Sequence, residues 1–230
     1  DLHKAIRRQR QMCIRDRNEV IRQLAARKSV RAFEDRDIPG EVRAAILEAA
    51  AQAPTAGNQQ LYTILDVTDP QLKARLAETC DHQPFIAQAP MVLIFLADVC
   101  KWLDAYREAG CEPRAPGAGD VMLAASDAAI AAQNAVTAAW SLGVGSCYIG
   151  DVMERCEEHR EMLNLPPHVF PAAMLVLGYP TEQQARRPKP ERFNMADIVC
   201  ENVYRRKDGP ALRRMFAGRC ALRGYDAWMD

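Results

Sequence analysis

The sequence predicts an α+β fold in which helices cover both faces of a small β-sheet. Two continuous apolar runs, at 91–96 and 172–177, are typical of strands that are buried on both faces. The longest helical pattern, at 120–142, is rich in alanine, and its small side chains allow a neighbouring element to approach closely, so we expect this helix to be central. The elements follow no regular βαβ repeat, so a doubly wound α/β fold is not predicted.

The first half of the chain is predicted to alternate between helices and strands. Val42 and Ile46 lie at helical spacing. Pro70 lies at the predicted first position of a helix, where proline is well tolerated. The apolar and β-branched run before Pro70 is typical of a strand. In order, the predicted elements are a helix near 20–24, a helix at 41–51, a strand at 62–67, a helix at 70–78 and a strand at 91–96.

The second half is predicted to be built around the alanine-rich helix. Gly143 ends that helix, because the residue after a helix often adopts a left-handed conformation. Asp151 can cap the helix that follows. In order, the predicted elements are a helix at 102–109, a loop rich in Gly and Pro at 110–119, the helix at 120–142, a helix at 151–163, a strand at 172–177, an edge strand at 199–204 and a helix from 211 onward.

Composition excludes several function classes. The 230 residues carry 30 basic and 30 acidic side chains, and this balance argues against a general nucleic-acid binder. The longest strongly apolar run is far shorter than the roughly 20 residues of a membrane span. The eight cysteines and four histidines show no ligand spacing, so no metal site is predicted. We expect reduced thiols in a cytoplasmic protein.

Two basic segments are candidates for binding a phosphate. In an extended backbone, Arg27, Ser29 and Arg31 share one face, and two guanidinium groups with a hydroxyl suit a phosphate. The alternative is a solvated helix end whose basic residues favour the helix dipole. The second segment, 187–193, is held extended by its prolines and projects three cations. Its alternative is an exposed basic loop.

Two further segments combine small and polar residues. The segment 54–60 carries Asn and Gln amides, which can pair with an imide-edged heterocycle, and Gly57 permits close approach of a flat ligand. This is also ordinary turn composition. The segment 143–150 does not fit the dinucleotide-binding fingerprint, because its glycines are wrongly spaced and it follows a helix. We interpret Cys147 as a small buried residue and not as a nucleophile.

Together these segments resemble the nitroreductase family of FMN-dependent oxidoreductases. The resemblance covers 18–204 and consists of four motifs in order: Arg-x-Ser-x-Arg, Pro-Thr-x-x-Asn-x-Gln, Gly-x-Gly-x-Cys-x-Ile-Gly, and Leu-Gly-Tyr-Pro followed by Pro-Lys-x-x-Arg. It implies a three-layer α+β fold with a small mixed, mostly antiparallel sheet, and a homodimer with the FMN site at the subunit interface.

The resemblance also implies the site residues. The basic residues and Ser29 are expected to contact the FMN phosphate, ribityl chain or pyrimidine edge. The amides of 54–60 are expected to contact the ring and the ribityl groups. The backbone of 148–150 is expected to lie near flavin N5. No catalytic side chain and no metal ligand are expected. The predicted cofactor-binding residues are Arg27, Lys28, Ser29, Arg31, Pro54, Thr55, Asn58, Gln60, Tyr148, Ile149, Gly150, Lys189 and Arg192.

The activity implied by the resemblance is electron transfer from NADH or NADPH, through FMN, to nitroaromatic, quinone or similar small acceptors by a ping-pong mechanism. The alternatives are a different flavin reaction, such as reductive dehalogenation or flavin degradation, and a flavin-binding protein without enzymatic activity. Rapid consumption of NAD(P)H with an added acceptor distinguishes an enzyme from a binding protein.

We interpret the two ends of the chain separately. Residues 1–17 are rich in arginine and show no convincing apolar periodicity. The stretch 11–17 reads like a translated sequencing adaptor, so we expect the native chain to begin near Asn18. A transit peptide or basic arm is the alternative. We expect one nitroreductase-like domain over 18–230, cut short at its C-terminal end relative to the family.

Overall fold

The computed structural model describes residues 18–223. These residues form two compact units, one ending at Pro188 and the other beginning at Lys189. The interpretation of 1–17 as non-native falls outside the described residues, and the prediction of a single domain over 18–230 stays a prediction. None of the helices that the structure describes is long and apolar enough to cross a membrane.

The first unit contains nine helices and four strands among its described residues. The helices are α1 (Glu19–Ala26), α2 (Gly40–Ala51), α3 (Pro70–Thr79), α4 (Phe85–Gln88), α5 (Cys100–Glu108), α6 (Ala118–Ser141), α7 (Asp151–Glu154), α8 (Cys156–Met162) and α9 (Glu182–Arg186). The strands are β1 (Tyr62–Asp66), β2 (Met91–Asp98), β3 (Gly145–Ile149) and β4 (Val169–Gly178).

The four strands form one sheet in the order β1-β2-β4-β3, and every neighbouring pair is antiparallel. Phe95 lies opposite Ile64 on one side and Ala173 on the other. The register shifts after Phe95, where the β2–β4 pairing is irregular. β2 and β4 are the central strands and are buried along almost their whole length, as continuous apolar runs predict.

Alternate residues of the sheet face two separate cores. Leu93 and Phe95 belong to the core that contains α2 and α6, whereas Val92 and Ile94 belong to the core that contains α3 and α4. The helix α6 contacts α2 and all four strands, and its alanine side chains let it pack directly on the sheet. The fully buried alanines of this helix are Ala124, Ala128, Ala131, Ala132, Ala135 and Ala139. The α+β fold and the central position of this helix are therefore confirmed.

The observed elements differ from the predicted ones in three places. The predicted edge strand at 199–204 is wrong: these residues form no strand, and Val203 and Tyr204 are 63% and 86% exposed. The predicted helix at 151–163 is divided at Arg155, whose φ of −112° and ψ of 49° interrupt the helical backbone. The strand β3 was not predicted, because its Gly, Ser and Cys residues give no local strand signal.

The second unit contains α10 (Met195–Ile198) and α11 (Gly209–Arg223). Phe193 packs edge-to-face on Phe216, with ring centroids 5.2 Å apart. Lys207 forms an ion pair with Asp197 at 3.6 Å. These contacts join the segment around α10 to the last helix within this unit.

Candidate cofactor site

The segment 27–31 leaves helix α1 in an extended conformation. Arg27 ends α1 with φ −53° and ψ 132°. Ser29 forms a parallel bridge with Ser146, and the Val30 amide donates to the Ser146 carbonyl at 3.0 Å. Val30 is fully buried against Gly145, where an added Cβ would lie 2.6 Å from a Val30 methyl group. The segment is therefore fixed along the beginning of β3.

The side chains of the motif Arg-x-Ser-x-Arg meet at Cys147. Burial raises the pKa of the Cys147 thiol, and the charge of Arg31, the Ser29 hydroxyl and the charge of Arg27 oppose that rise. The raised pKa keeps the thiol protonated at neutral pH, which agrees with the interpretation of Cys147 as a small buried residue. Two cations and a hydroxyl thus lie near Cys147 of β3.

The two guanidinium groups differ in their environments. The Arg27 group lies 5.9 Å from the centroid of the Tyr148 ring, and its Nε and Nη2 atoms are buried. Burial raises the pKa of Tyr148 to about 12, and the charge of Arg27 opposes this rise. The Arg31 side chain is exposed, and no carboxylate within residues 18–223 lies at ion-pair distance from it. Its charge is therefore available to an anion.

The Lys28 ammonium is bound to backbone carbonyls of a distant segment. It donates to the carbonyl oxygen of Ala185 at 2.6 Å and also to that of Arg187. These carbonyls lie at the end of α9 and in the residue after it, where a helix leaves carbonyls without helical partners. Lys28 thus fastens the chain near residue 187 to the segment 27–31.

The loop 54–60 contains a single turn of 3₁₀ helix with several residues in the left-handed region. The φ angles of Gly57, Asn58 and Gln60 are 55°, 56° and 50°. The Thr55 hydroxyl accepts a hydrogen bond from the Gln60 amide at 3.2 Å. The side chains of Asn58, Gln60 and Pro54 are exposed, and those of Asn58 and Gln60 make no hydrogen bond to the described part of the chain. Their amides are accessible to a ligand or a second subunit.

A residue that the sequence analysis missed anchors this loop. Asp127, in the middle of α6, is only 2% exposed, and its carboxylate accepts hydrogen bonds from the amides of Ala56 at 3.0 Å and Leu61 at 3.2 Å. The sequence carries a signal for it, because an aspartate interrupts the buried alanine face at helical spacing from Ala124 and Ala131.

The end of β3 is open on one side. Tyr148 is half-buried, Ile149 is buried and Gly150 is exposed. A Cβ added at Gly150 would meet no atom within 4 Å. The structure thus brings together residues 148–150, at the end of β3, and the segment 27–31, which runs beside β3. Lys189 and Arg192 lie in the second unit, and their part in a phosphate site stays a prediction.

Comparison with known proteins decides the family. The model of the nitroreductase family matches residues 24–179, about two thirds of the chain. The chain belongs to the nitroreductase family. In this family, an FMN reductase [NAD(P)H] of Bacillus subtilis is 37% identical over 175 residues, which are 75% of this chain and 70% of the relative.

Two further members extend the comparison. The oxygen-insensitive NADPH nitroreductase of Salmonella typhimurium is 33% identical over 191 residues, covering 83% of this chain and 77% of the relative. The solved structure of the NADPH:FMN oxidoreductase from Vibrio harveyi, complexed with NAD+, superposes with a TM-score of 0.81 at 26% identity, covering 90% and 87% of the two chains. The nitroreductase fold implied by the sequence motifs is confirmed.

Proposed function

We propose that this protein is an FMN-dependent oxidoreductase that passes electrons from NADH or NADPH to small oxidised acceptors such as nitroaromatics and quinones. The observation that carries the proposal is the segment 27–31, which places two arginines and a serine beside β3. Family membership supports the same cofactor and donor, because the relatives are named as FMN reductases and as an NADPH nitroreductase. The predicted cytoplasmic location stays a prediction.

The donor set at this segment fits the phosphate of FMN. A phosphate is doubly charged and accepts several hydrogen bonds, and a guanidinium group offers planar paired donors to it. Arg31 is exposed and carries a charge that no carboxylate of the described residues neutralises, while Arg27 is held in place against Tyr148. We infer that Arg31 and Arg27 bind the phosphate, with the Ser29 hydroxyl as a further donor.

The other predicted residues suit the flavin ring. The open backbone at 148–150 would lie against the ring, and the exposed amides of Asn58 and Gln60 would pair with its heterocyclic edge or with the ribityl hydroxyls. Bound FMN would supply the hydride chemistry that connects NAD(P)H to the acceptor. In this proposal the side chains bind and orient the cofactor, and none of them is assigned a proton transfer.

The proposal includes a homodimer. Val121, Met122 and Leu123 of α6 are 44%, 71% and 47% exposed in the single chain, an apolar surface that a partner chain would cover. In this arrangement one subunit contributes Asn58 and Gln60 to the cofactor site of the other. Light scattering on the FMN-loaded protein measures the mass directly, and we expect the mass of two chains.

Titration of the flavin-free protein with FMN tests the proposed function. We expect one FMN bound per chain and a higher thermal midpoint, because a ligand that binds only the native state stabilises it. At a free FMN concentration of about 100 times Kd the stabilisation is about 2.7 kcal/mol, which corresponds to a shift of about 5–10 °C for a chain of this size. Unchanged flavin fluorescence and thermal midpoint at saturating FMN would contradict the proposal.

A further inference from the structure

We propose that Asp127 is the positioning residue of the loop 54–60 and holds that loop in the conformation that receives the flavin ring. The inference rests on the proposed function, because the contact between loop and ring is part of that function. The carboxylate of Asp127 accepts from Ala56 with Oδ1 and from Leu61 with Oδ2. These two amides flank the turn, so one side chain fixes both of its ends.

The conformation of the loop needs such an anchor. Gly57, Asn58 and Gln60 all have φ angles between 50° and 56°, in the left-handed region. Glycine adopts this region freely and asparagine tolerates it, but glutamine adopts it rarely. Two non-glycine residues in this region within three positions are unfavourable unless the surroundings hold them there. Without an anchor, the loop is expected to relax and to turn the amides of Asn58 and Gln60 away from their observed directions.

Asp127 can anchor the loop because it lies on α6, a helix that is packed against the core. Its neighbours Ala124, Ala128 and Ala131 are fully buried against the core, so the helix is fixed and the carboxylate cannot follow the loop. A second anchor comes from α5, where the Trp102 indole donates to the Gln59 carbonyl at 2.8 Å. The loop is therefore held from two helices, and Asp127 is the anchor that reaches both sides of the turn.

An aspartate at this position matches the two amides that it binds. An apolar side chain would remove the cost of burying a carboxylate, but it would leave the amides of Ala56 and Leu61 without their acceptors. The two oxygens of a carboxylate both accept, whereas an asparagine offers one acceptor and one donor. Asp127→Asn therefore turns an N–H group towards a backbone N–H and leaves one loop amide without its acceptor.

The test compares Asp127→Asn with Trp102→Phe and with the control variant Asp98→Asn. Asp98 is 8% exposed and accepts hydrogen bonds from Thr63 and Lys101, outside the loop. Each variant is titrated with FMN and with riboflavin. Its thermal midpoint is measured without flavin, and hydrogen exchange at the amides of residues 56 and 61 is followed in the flavin-free protein.

We expect Asp127→Asn to weaken FMN and riboflavin equally, by about tenfold, because the loop is proposed to contact the ring that both share. Exchange at Ala56 and Leu61 should accelerate by a similar factor. Trp102→Phe, which retains the ring packing and loses the donor, should show a smaller loss of the same kind. Asp98→Asn should lower the thermal midpoint and leave both flavin affinities within about twofold of wild type.

In one contrary outcome, Asp127→Asn keeps both flavin affinities within twofold of wild type while its thermal midpoint falls like that of Asp98→Asn. That result would show that Asp127 only stabilises the fold, and it would overturn the inference. A loss restricted to FMN would also overturn it, because it would place the effect at the phosphate. A wild-type protein that binds neither flavin would contradict the proposed function instead, and the titration of wild type separates that result from the others.

Discussion

Arg31→Ala should weaken FMN binding by about tenfold to a hundredfold and leave riboflavin binding nearly unchanged. A charge-assisted hydrogen bond to a phosphate is worth about 1.5–3 kcal/mol, which corresponds to this range of affinity. Arg31 is exposed and is not a member of either hydrophobic core, so we expect the variant to fold. Riboflavin lacks the phosphate, and the comparison of the two ligands isolates the interaction with it.

Arg36→Ala is the matched control for this prediction. Arg36 is also exposed, but its guanidinium lies over the Tyr179 ring, 3.9 Å from the ring centroid. The substitution Arg36→Ala removes one positive charge from the same part of the chain and should change neither the FMN affinity nor the riboflavin affinity. The same comparison with Arg192→Ala tests the sequence-based prediction for the second unit. Equal losses of FMN and riboflavin for Arg31→Ala would assign that residue to the ring or the fold. An unchanged FMN affinity would make it an ordinary surface charge.

Gly145→Ala should destabilise the fold and displace the phosphate-binding segment. The new Cβ would lie 2.6 Å, 2.8 Å and 3.0 Å from three Val30 side-chain atoms, and Val30 is fully buried, so the backbone of 29–31 must move. Overpacking of this kind costs about 1–3 kcal/mol, or about 2–12 °C in thermal midpoint for a chain of this size. FMN affinity should fall together with stability.

Gly119→Ala provides the control for this substitution. An added Cβ at Gly119, in the first turn of α6, meets no atom within 4 Å, so this variant should be at least as stable as wild type. Combining Gly145→Ala with Val30→Ala removes two of the three close contacts, and the double variant should be destabilised by less than the sum of the single changes. A Gly145→Ala protein as stable as Gly119→Ala would show that the segment 27–31 is not fixed by this contact.

The parts of the fold that the sequence predicted are those with a local signal. β2 and β4 are continuous apolar runs because both of their faces are covered, and α6 carries its alanine pattern over 24 residues. β3 has no such signal, because its position depends on Gly145 meeting Val30 and on pairing with β4. Residues 199–204 do carry β-branched residues, but no described strand pairs with them.

The candidate site shows the same division between local and long-range information. The alternation of Arg27, Ser29 and Arg31 is a property of an extended segment and could be predicted, as could the polar amides of 54–60. The role of Asp127 depends on amides 66 and 71 residues away in the chain, and no local pattern connects them. The direction of Lys28 depends on carbonyls at the end of the distant helix α9 and in the residue after it, more than 150 residues along the chain.

The two half-reactions of the FMN-loaded protein test the central claim most directly. In an anaerobic stopped-flow experiment, NADH and NADPH are mixed separately with the loaded protein, and a quinone or nitroarene is added in a second step. We expect that at least one nucleotide bleaches the flavin absorbance rapidly and that the acceptor restores it without the nucleotide being present. A protein that binds FMN but is reduced by neither nucleotide would contradict the oxidoreductase assignment and leave a flavin-binding protein.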